Sequence, residues 1–114
     1  MSWGYVAKAS RIYVTTLTAA DTWYTVLSAA NAKGIRGVRV KSRYKFNSSG
    51  APTNVPAPFD MALSSAPSTS DSVTDGTGYI SNDGSGFSDM FGAENGLYCR
   101  SAKAGVILEV MCFD

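Results

Sequence analysis

A strict alternation of uncharged and basic side chains runs through residues 35–46 (IRGVRVKSRYKF). Every second position from 38 to 46 is uncharged and the four positions between are basic: Val38, Val40, Ser42, Tyr44 and Phe46, with Arg39, Lys41, Arg43 and Lys45. Successive side chains of a strand point to opposite faces of a sheet, so this period of two predicts an antiparallel strand with one buried face. Because helical periodicity is almost absent elsewhere, the sequence favours an all-β fold.

Other segments have the β-branched and aromatic composition of strands and are separated by turn residues. We predict strands at residues 11–18, 22–28, 59–64 and 79–82, a short segment at 87–91, and a closing hairpin of residues 96–101 and 105–113. Residues 28–33 are predicted to be a loop, because Asn31 and Gly34 interrupt a helical turn. About seven or eight short strands predict a single domain, residues 1–114, with an antiparallel β-sandwich or jelly-roll fold.

The last predicted strand, residues 106–113 (VILEVMCF), is apolar on nearly both faces. That composition is typical of a central strand that is covered on both sides. Cys99 and Cys112 lie in apolar segments of this region. We expect both to be buried thiols rather than a disulfide, because cytosolic thiols stay reduced.

Residues 1–10 (MSWGYVAKAS) contain no apolar run of secretory-signal length, and no stretch approaches the roughly 18 apolar residues of a membrane span. We therefore expect a protein made intact from its initiator Met in the cytosol, without membrane contact. Trp3, Tyr5 and Tyr13 have two interpretations of equal weight. They are either ordinary core residues or the anchors of an N-terminal arm, because Trp and Tyr are favoured interface anchors.

The charged residues are sorted along the chain. Residues 1–59 contain eight Lys/Arg and one acid, whereas residues 60–114 contain two Lys/Arg and eight acids, although the net charge is only +1. Matched surfaces of opposite sign suit a molecule that docks in one orientation, on a copy of itself or on a charged neighbour. The charge distribution therefore favours a binding or assembly module.

The basic alternating positions are the best candidate binding site. On a strand they form a row roughly 20 Å long, because alternate side chains stand about 7 Å apart. This row, with Arg36 beside it, is interpreted as a solvated face, a contact with acidic protein surface, or a nucleic-acid site. Acidic partners are available in the second half of a neighbouring copy: Asp71, Asp75, Asp83 and Asp89. Direct nucleic-acid contact is not expected, because stacking aromatics are needed and Tyr44 and Phe46 alternate to the opposite face.

Catalytic and metal-binding chemistry has little support in the sequence. The chain has no histidine, which removes His-dependent hydrolases and His-containing zinc sites. Asp83 and Asp89 are the nearest carboxylate pair for glycoside hydrolysis, but both lie in a Gly/Ser-rich turn, where Asp is common. Residues 81–89 fit no EF-hand register, which leaves only an irregular calcium site open. We expect a protein that is not an enzyme and has no cofactor.

Three segments of the sequence, taken together, allow a comparison with a known class of proteins. They are the Thr-rich opening strand TTLTAADTWYTVL (15–27), the basic strand GVRVKSRYKF (37–46) and the closing segment GLYCRSAKAGVILEVMCF (96–113). Together they resemble the small β-sandwich proteins of tailed-phage virions, in particular capsid decoration or cement proteins. The resemblance implies a virion protein, assembled in the host cytoplasm, that binds the major capsid protein and bridges neighbouring capsid subunits. It also implies a symmetric homo-oligomer, with a trimer favoured.

Three other functions remain open. The first is a head–tail connector, tail or fibre-associated protein of the same virion. The second is a carbohydrate-binding module, which requires a solvent-facing aromatic platform at Trp23 or Tyr79. The third is a hydrolase, which requires the carboxylates of Asp83 and Asp89 to face one cleft about 5–9 Å apart.

Overall fold

The computed structural model of the protein describes residues 9–46, 49–63 and 79–114. Its elements, in chain order, are β1 (Ala9–Leu17), β2 (Tyr24–Leu27), α1 (Ala29–Ala32), β3 (Gly37–Arg43), β4 (Phe59–Leu63), β5 (Ile80–Asn82), β6 (Leu97–Arg100) and β7 (Val106–Phe113). The described chain is mostly β, which confirms the predicted all-β class. Each strand begins and ends within about two residues of a predicted one, except that β3 stops three residues early.

The strands form two antiparallel sheets. One sheet has three strands in the order β1-β7-β3, and the other has four in the order β2-β6-β4-β5. In the three-stranded sheet β7 pairs with β1 on one side and with β3 on the other. The prediction that residues 106–113 form a central strand is therefore confirmed, but the strand is fully covered on one side only, because Glu109, Met111 and Phe113 on the other side are half-buried.

The predicted closing hairpin is wrong. β6 and β7 follow one another in the chain but belong to different sheets, so residues 101–105 form a corner rather than a hairpin turn. Ser101 is buried at this corner, where its Oγ donates to the carbonyl of Pro58 at 2.9 Å and accepts from the N–H of Lys103 at 3.1 Å. Because of this corner, β6 and β7 contribute apolar side chains to the same core from different sheets. The two strands of a hairpin would lie in one sheet.

Both sheets contribute to one buried apolar cluster. Its largest fully buried side chains come from β1, β2, β6, β3 and β7: Leu17, Leu27, Leu97, Val38, Val40, Val106, Leu108 and Val110. In β3, Val38, Val40 and Ser42 are buried while the basic residues between them are only half-buried, which confirms the alternation. The buried Ser42 hydroxyl is satisfied because it donates to the carbonyl of Ala57.

Two local predictions need correction. Residues 29–32 form a one-turn helix rather than a loop, because the Ser28 side chain caps it and accepts from the N–H of Asn31 at 3.1 Å. Residues 87–91 do not form a strand in their own right. They run beside β3 instead, joined to it by an isolated bridge between Phe91 and Val38.

Cys99 and Cys112 are buried thiols, as predicted. Burial raises the pKa of Cys99, and it also raises the pKa of Cys112. Because the thiolate is the reactive form, neither position suits nucleophilic or redox chemistry.

Candidate protein-binding face

The solvent side of the three-stranded sheet carries three parallel rows of side chains, which we call the outer face. The register places Ile12 and Arg39 on either side of Met111, Val14 and Lys41 on either side of Glu109, and Thr16 and Arg43 on either side of Ile107. The side chains of the neighbouring positions in β3 and β7 point into the core. The outer face is therefore apolar along β1 and basic along β3, with one acid on the central strand.

Glu109 lies between two cations of the basic row. Its Oε1 is 3.4 Å from Arg43 Nε and 4.0 Å from Lys41 Nζ, and all three side chains are about one-quarter to one-third exposed. Oε1 accepts no hydrogen bond from any described group, so these ion pairs are long and imperfectly aligned. The row is thus partly neutralised inside its own subunit, but one carboxylate cannot balance the cations of Arg39, Lys41 and Arg43.

Phe87 lies against the basic row and was missed in the sequence. Its ring centroid is 5.8 Å from Arg39 Cζ and 5.4 Å from Lys41 Nζ, within the range of cation–π attraction. The segment that carries it is fixed to β3: Arg39 Nε donates to the carbonyl of Ser88 at 2.8 Å, and the Ser88 N–H donates to the carbonyl of Val40 at 2.8 Å. No local pattern indicates this contact, because 48 positions separate Arg39 from Phe87.

The β1 row is the exposed apolar part of the outer face. Ile12 is 66% exposed and Val14 is 58% exposed. Among the large apolar side chains of the described strands, only Ile80, at 59%, is comparably exposed. The sequence predicted this strand but not its orientation, because the alternate positions Tyr13, Thr15 and Leu17 are equally compatible with either face. The outer face therefore has exposed apolar groups directly beside cations.

The other predicted site residues are scattered. Trp3, Tyr5, Asp71 and Asp75 lie outside the described residues. Arg36 is exposed just before β3, where its backbone N–H donates to the backbone carbonyl of Phe113 at 2.8 Å. Lys45 lies beyond the end of β3 and is exposed, with Nζ 5.4 Å from the centroid of the Phe46 ring. The predicted row of four on one strand is therefore three residues on β3, with Lys45 in the following turn.

Asp83 and Asp89 are both exposed. The Asp83 carboxylate accepts from the N–H of Ser85 at 2.9 Å and from its hydroxyl at 2.8 Å, which closes a turn. These hydrogen bonds lower the pKa of Asp83, which is opposite to the raised pKa that a general acid needs. Within residues 9–46, 49–63 and 79–114, no three His, Cys, Asp or Glu side chains are grouped closely enough to hold a metal ion.

The four-stranded sheet carries a cation of a different kind on its solvent side. Arg100 donates to Asp60 Oδ2 through Nη2 at 2.9 Å and Nε at 3.2 Å, and Ser81 Oγ donates to Asp60 Oδ1 at 2.8 Å. The guanidinium Cζ lies 4.7 Å from the centroids of both the Trp23 and Tyr79 rings. Burial by itself lowers the pKa of Arg100, but the hydrogen bonds to Asp60 and Tyr79 outweigh it and raise that pKa. We call these four residues and Ser81 the Arg100 clamp.

An apolar groove of about 740 Å³ opens between the β4–β5 edge and residues 88–91. Met61, Leu63, Ile80, Met90 and Phe91 supply most of its apolar wall. Its ionisable lining within the described residues consists of Asp89 and Tyr79, which is too sparse for acid–base chemistry.

No protein-family model, no curated protein and no solved structure matches this chain. In the part of the chain that the structure describes, no helix has the length and apolar character needed to cross a bilayer. Assignment of a function therefore depends on the two solvent faces themselves.

Proposed function

We propose that this chain is a non-enzymatic structural protein of a tailed-phage virion, a capsid decoration protein that binds the shell through the outer face. One observation carries the proposal: the exposed apolar row of Ile12 and Val14 shares a sheet face with the basic row of Arg39, Lys41 and Arg43. Such a face suits a protein surface that offers apolar contact and negative charge together, because the apolar area supplies affinity and the charges supply orientation.

The fold that goes with this function is a β-sandwich of jelly-roll type. Two antiparallel sheets of three and four strands, both supplying side chains to one buried cluster, support that architecture. In such an arrangement each sheet has one face toward the core and one toward solvent. The outer face is then available to a partner without any change in the core.

The resemblance of the chain supplies the setting. From it we infer a virion protein, with the major capsid protein as partner and a homo-oligomer, preferably a trimer, as the working form. A head–tail connector or a tail or fibre-associated protein is the second candidate, because the same face would serve any protein neighbour in the virion. Capsids that lack tails separate these two possibilities.

The contacts of the basic row favour a protein partner over nucleic acid. A phosphate backbone that followed Lys41 and Arg43 would pass the carboxylate of Glu109, which repels it. Phe87 is 38% exposed beside Arg39 and Lys41 and is the feature of this face that a nucleic acid would use. Successive bases stack on successive aromatic rings, whereas a single ring lies against these two cations, so the face suits a protein partner better.

The carbohydrate-binding alternative has less support. A sugar platform requires an aromatic ring face that is open to solvent, whereas Trp23 and Tyr79 are both half-buried. The Arg100 guanidinium lies over each of these rings at 4.7 Å. The carboxylate-hydrolase alternative is likewise not supported, because the Asp83 carboxylate is used to close a turn.

The test is a double charge reversal, Arg39→Glu with Lys41→Glu, followed by cosedimentation with tailless capsids of the phage that encodes the chain. We expect binding to weaken by at least about tenfold, because two favourable charges become repulsive toward an acidic partner. The matched control is Lys33→Glu with Lys103→Glu, which makes the same change in net charge at exposed positions outside the outer face. Circular dichroism verifies that both variants remain folded.

Two results contradict the proposal. Equal binding of the two folded double variants removes the basic row from the contact. Failure of the unaltered protein to cosediment with tailless capsids, together with its presence on whole virions, assigns it to the connector or tail instead.

A further inference from the structure

The three-stranded sheet has two edges that differ in how they are covered. At the β3 edge, residues 88–91 run alongside: the Ser88 N–H donates to the carbonyl of Val40, and Phe91 and Val38 exchange hydrogen bonds of 2.8 and 3.0 Å. At the other edge, β1 pairs with β7 on one side, and no described strand pairs with its second side. An edge strand presents unpaired N–H and C=O groups in the geometry that another strand requires.

The features of β1 that usually protect an edge from pairing, a register shift between Ala9 and Arg11 and one charge, are confined to its N-terminal end. The strand is nine residues long, contains neither proline nor lysine, and has Arg11 as its single charge. The edges of the four-stranded sheet are much shorter, at four residues for β2 and three for β5, which itself limits pairing. Among the described strands, β1 is therefore the edge best suited to accept another strand.

We propose that β1 pairs with β1 of a second copy in antiparallel orientation about Tyr13, which joins two three-stranded sheets into one of six strands. Tyr13 is the midpoint of Ala9–Leu17, and this register pairs residues 11–15 of the two copies, clear of the register shift between Ala9 and Arg11. It places Ile12 of each copy opposite Val14 of the other, so that the two apolar rows lie side by side on one face of the joined sheet. A two-fold contact of this kind is self-complementary because each pair occurs twice.

Electrostatics permit this pairing. Each copy has a net charge of only +1, and β1 contributes one charge to the contact. The two basic rows lie on the β3 strands, five strand spacings apart in the joined sheet, which is about 24 Å at ~4.8 Å per spacing. That separation exceeds the Debye length of about 8 Å at physiological salt, so repulsion between the rows is screened. Joining the copies leaves both basic rows exposed toward a common partner.

The pairing differs from the trimer that the resemblance implies, and it does not depend on the proposed shell partner. Its first test is the solution mass of the purified protein, measured by light scattering across micromolar to millimolar concentrations. We expect a reversible dimer. Val14→Lys, at an exposed position, should weaken dimerisation by about tenfold or more, because it places a charge within the contact. Val55→Lys is the matched control, since Val55 is also exposed, at 52%, and lies outside β1.

The register is tested by disulfide trapping. The native thiols of Cys99 and Cys112 are buried, so a cysteine introduced on β1 is the accessible one. Ile12→Cys and Val14→Cys proteins should cross-link when mixed under mild oxidation, since directly opposed positions have Cα atoms about 4.5–5.5 Å apart. Each variant alone should cross-link much less, because identical positions are then diagonal at about 7–8 Å.

A monomer at every concentration, or a trimer whose mass is unaffected by Val14→Lys, overturns the proposal. Cross-linking that is as fast within each single variant as in the mixture overturns the register about Tyr13. Neither result affects the proposed function, because capsid binding through the basic row is measured separately with Arg39→Glu and Lys41→Glu.

Discussion

The solvent faces of the two sheets both carry arginine near aromatic rings and a carboxylate, but they use them differently. In the Arg100 clamp, one guanidinium makes two hydrogen bonds to Asp60 and lies over two rings. On the outer face, Lys41 and Arg43 share Glu109 at 4.0 and 3.4 Å without a well-aligned hydrogen bond, next to exposed Ile12 and Val14. The first arrangement satisfies its charge and ties β4, β5 and β6 together. The second leaves positive charge only partly neutralised and apolar side chains exposed.

Among the substitutions considered, we expect the largest effect from one at Gly84, which packs against Ser42 on the core side of β3. Gly84 is buried with φ +82°, and a Cβ there would overlap Ser42 Oγ and the carbonyl oxygen of Ala57. Gly84→Ala should therefore destabilise the protein by about 3 kcal/mol, from overpacking plus the left-handed backbone. It should also loosen the segment that holds Phe87 on the basic row. Urea unfolding measures the loss.

Gly86→Ala is the control for Gly84→Ala. Gly86 also has a positive φ of 69°, but nothing lies within 4 Å of a Cβ at that position. Its cost should be the backbone strain alone, about 1 kcal/mol. Equal losses for the two variants would show that close packing at Gly84 has no role in supporting the outer face.

Removal of Arg100 tests whether the clamp is structural. Arg100→Ala should lower the free energy of unfolding by about 2–3 kcal/mol, because Asp60 would remain half-buried with only Ser81 as a partner. Arg43→Ala on the outer face should cost only about 0.5 kcal/mol, as is usual for a long, partly exposed ion pair. Urea unfolding of both variants gives the comparison, and a cost for Arg43→Ala as large as that for Arg100→Ala would abolish the distinction between the two faces.

The smallest expected effect is the pH dependence due to Asp83. Hydrogen bonds from Ser85 lower the pKa of Asp83 below the ordinary value of 3.8. A lowered folded-state pKa stabilises the protein above the unfolded-state pKa, and that contribution is lost as the pH falls through the folded-state pKa. Asp83→Asn should therefore be slightly less stable than the unaltered protein at neutral pH, and the difference should disappear in acid. Unfolding curves at both pH values measure it, and Ser85→Ala should reproduce part of the effect. A difference that grows in acid would contradict this sign.

Much of the fold was predictable because strand formation depends on local composition. The alternation in residues 38–43 identified the buried and solvent sides of β3 correctly, and the apolar run at 106–113 indicated the central position of β7. The closing hairpin was predicted wrongly, because the chain between β6 and β7 is short enough for a turn. Residues 101–105 form a corner because both sheets bury side chains in one core, and that arrangement depends on residues outside the segment.

Less of the candidate site could be predicted. The basic row was identified, but its neighbours come from distant parts of the chain: Glu109 from β7 and Phe87 from a loop. The apolar half of the outer face was also missed, because both sides of β1 contain residues that tolerate burial. Only the register with β7, which places Val14 next to Glu109, identifies the side that faces solvent.

By itself, the sequence determined that the chain forms strands, which side chains of β3 point together, and that no histidine chemistry is available to it. Those properties follow from the two-residue repeat of an extended backbone and from composition, and neither depends on distant contacts. The tertiary structure decided that Glu109 partly neutralises the basic row, that Arg100 contacts both the Trp23 and Tyr79 rings, and that β1 lies at an edge. Each of these depends on strand order, which is set by how two sheets bury one core and therefore by residues far apart in the chain.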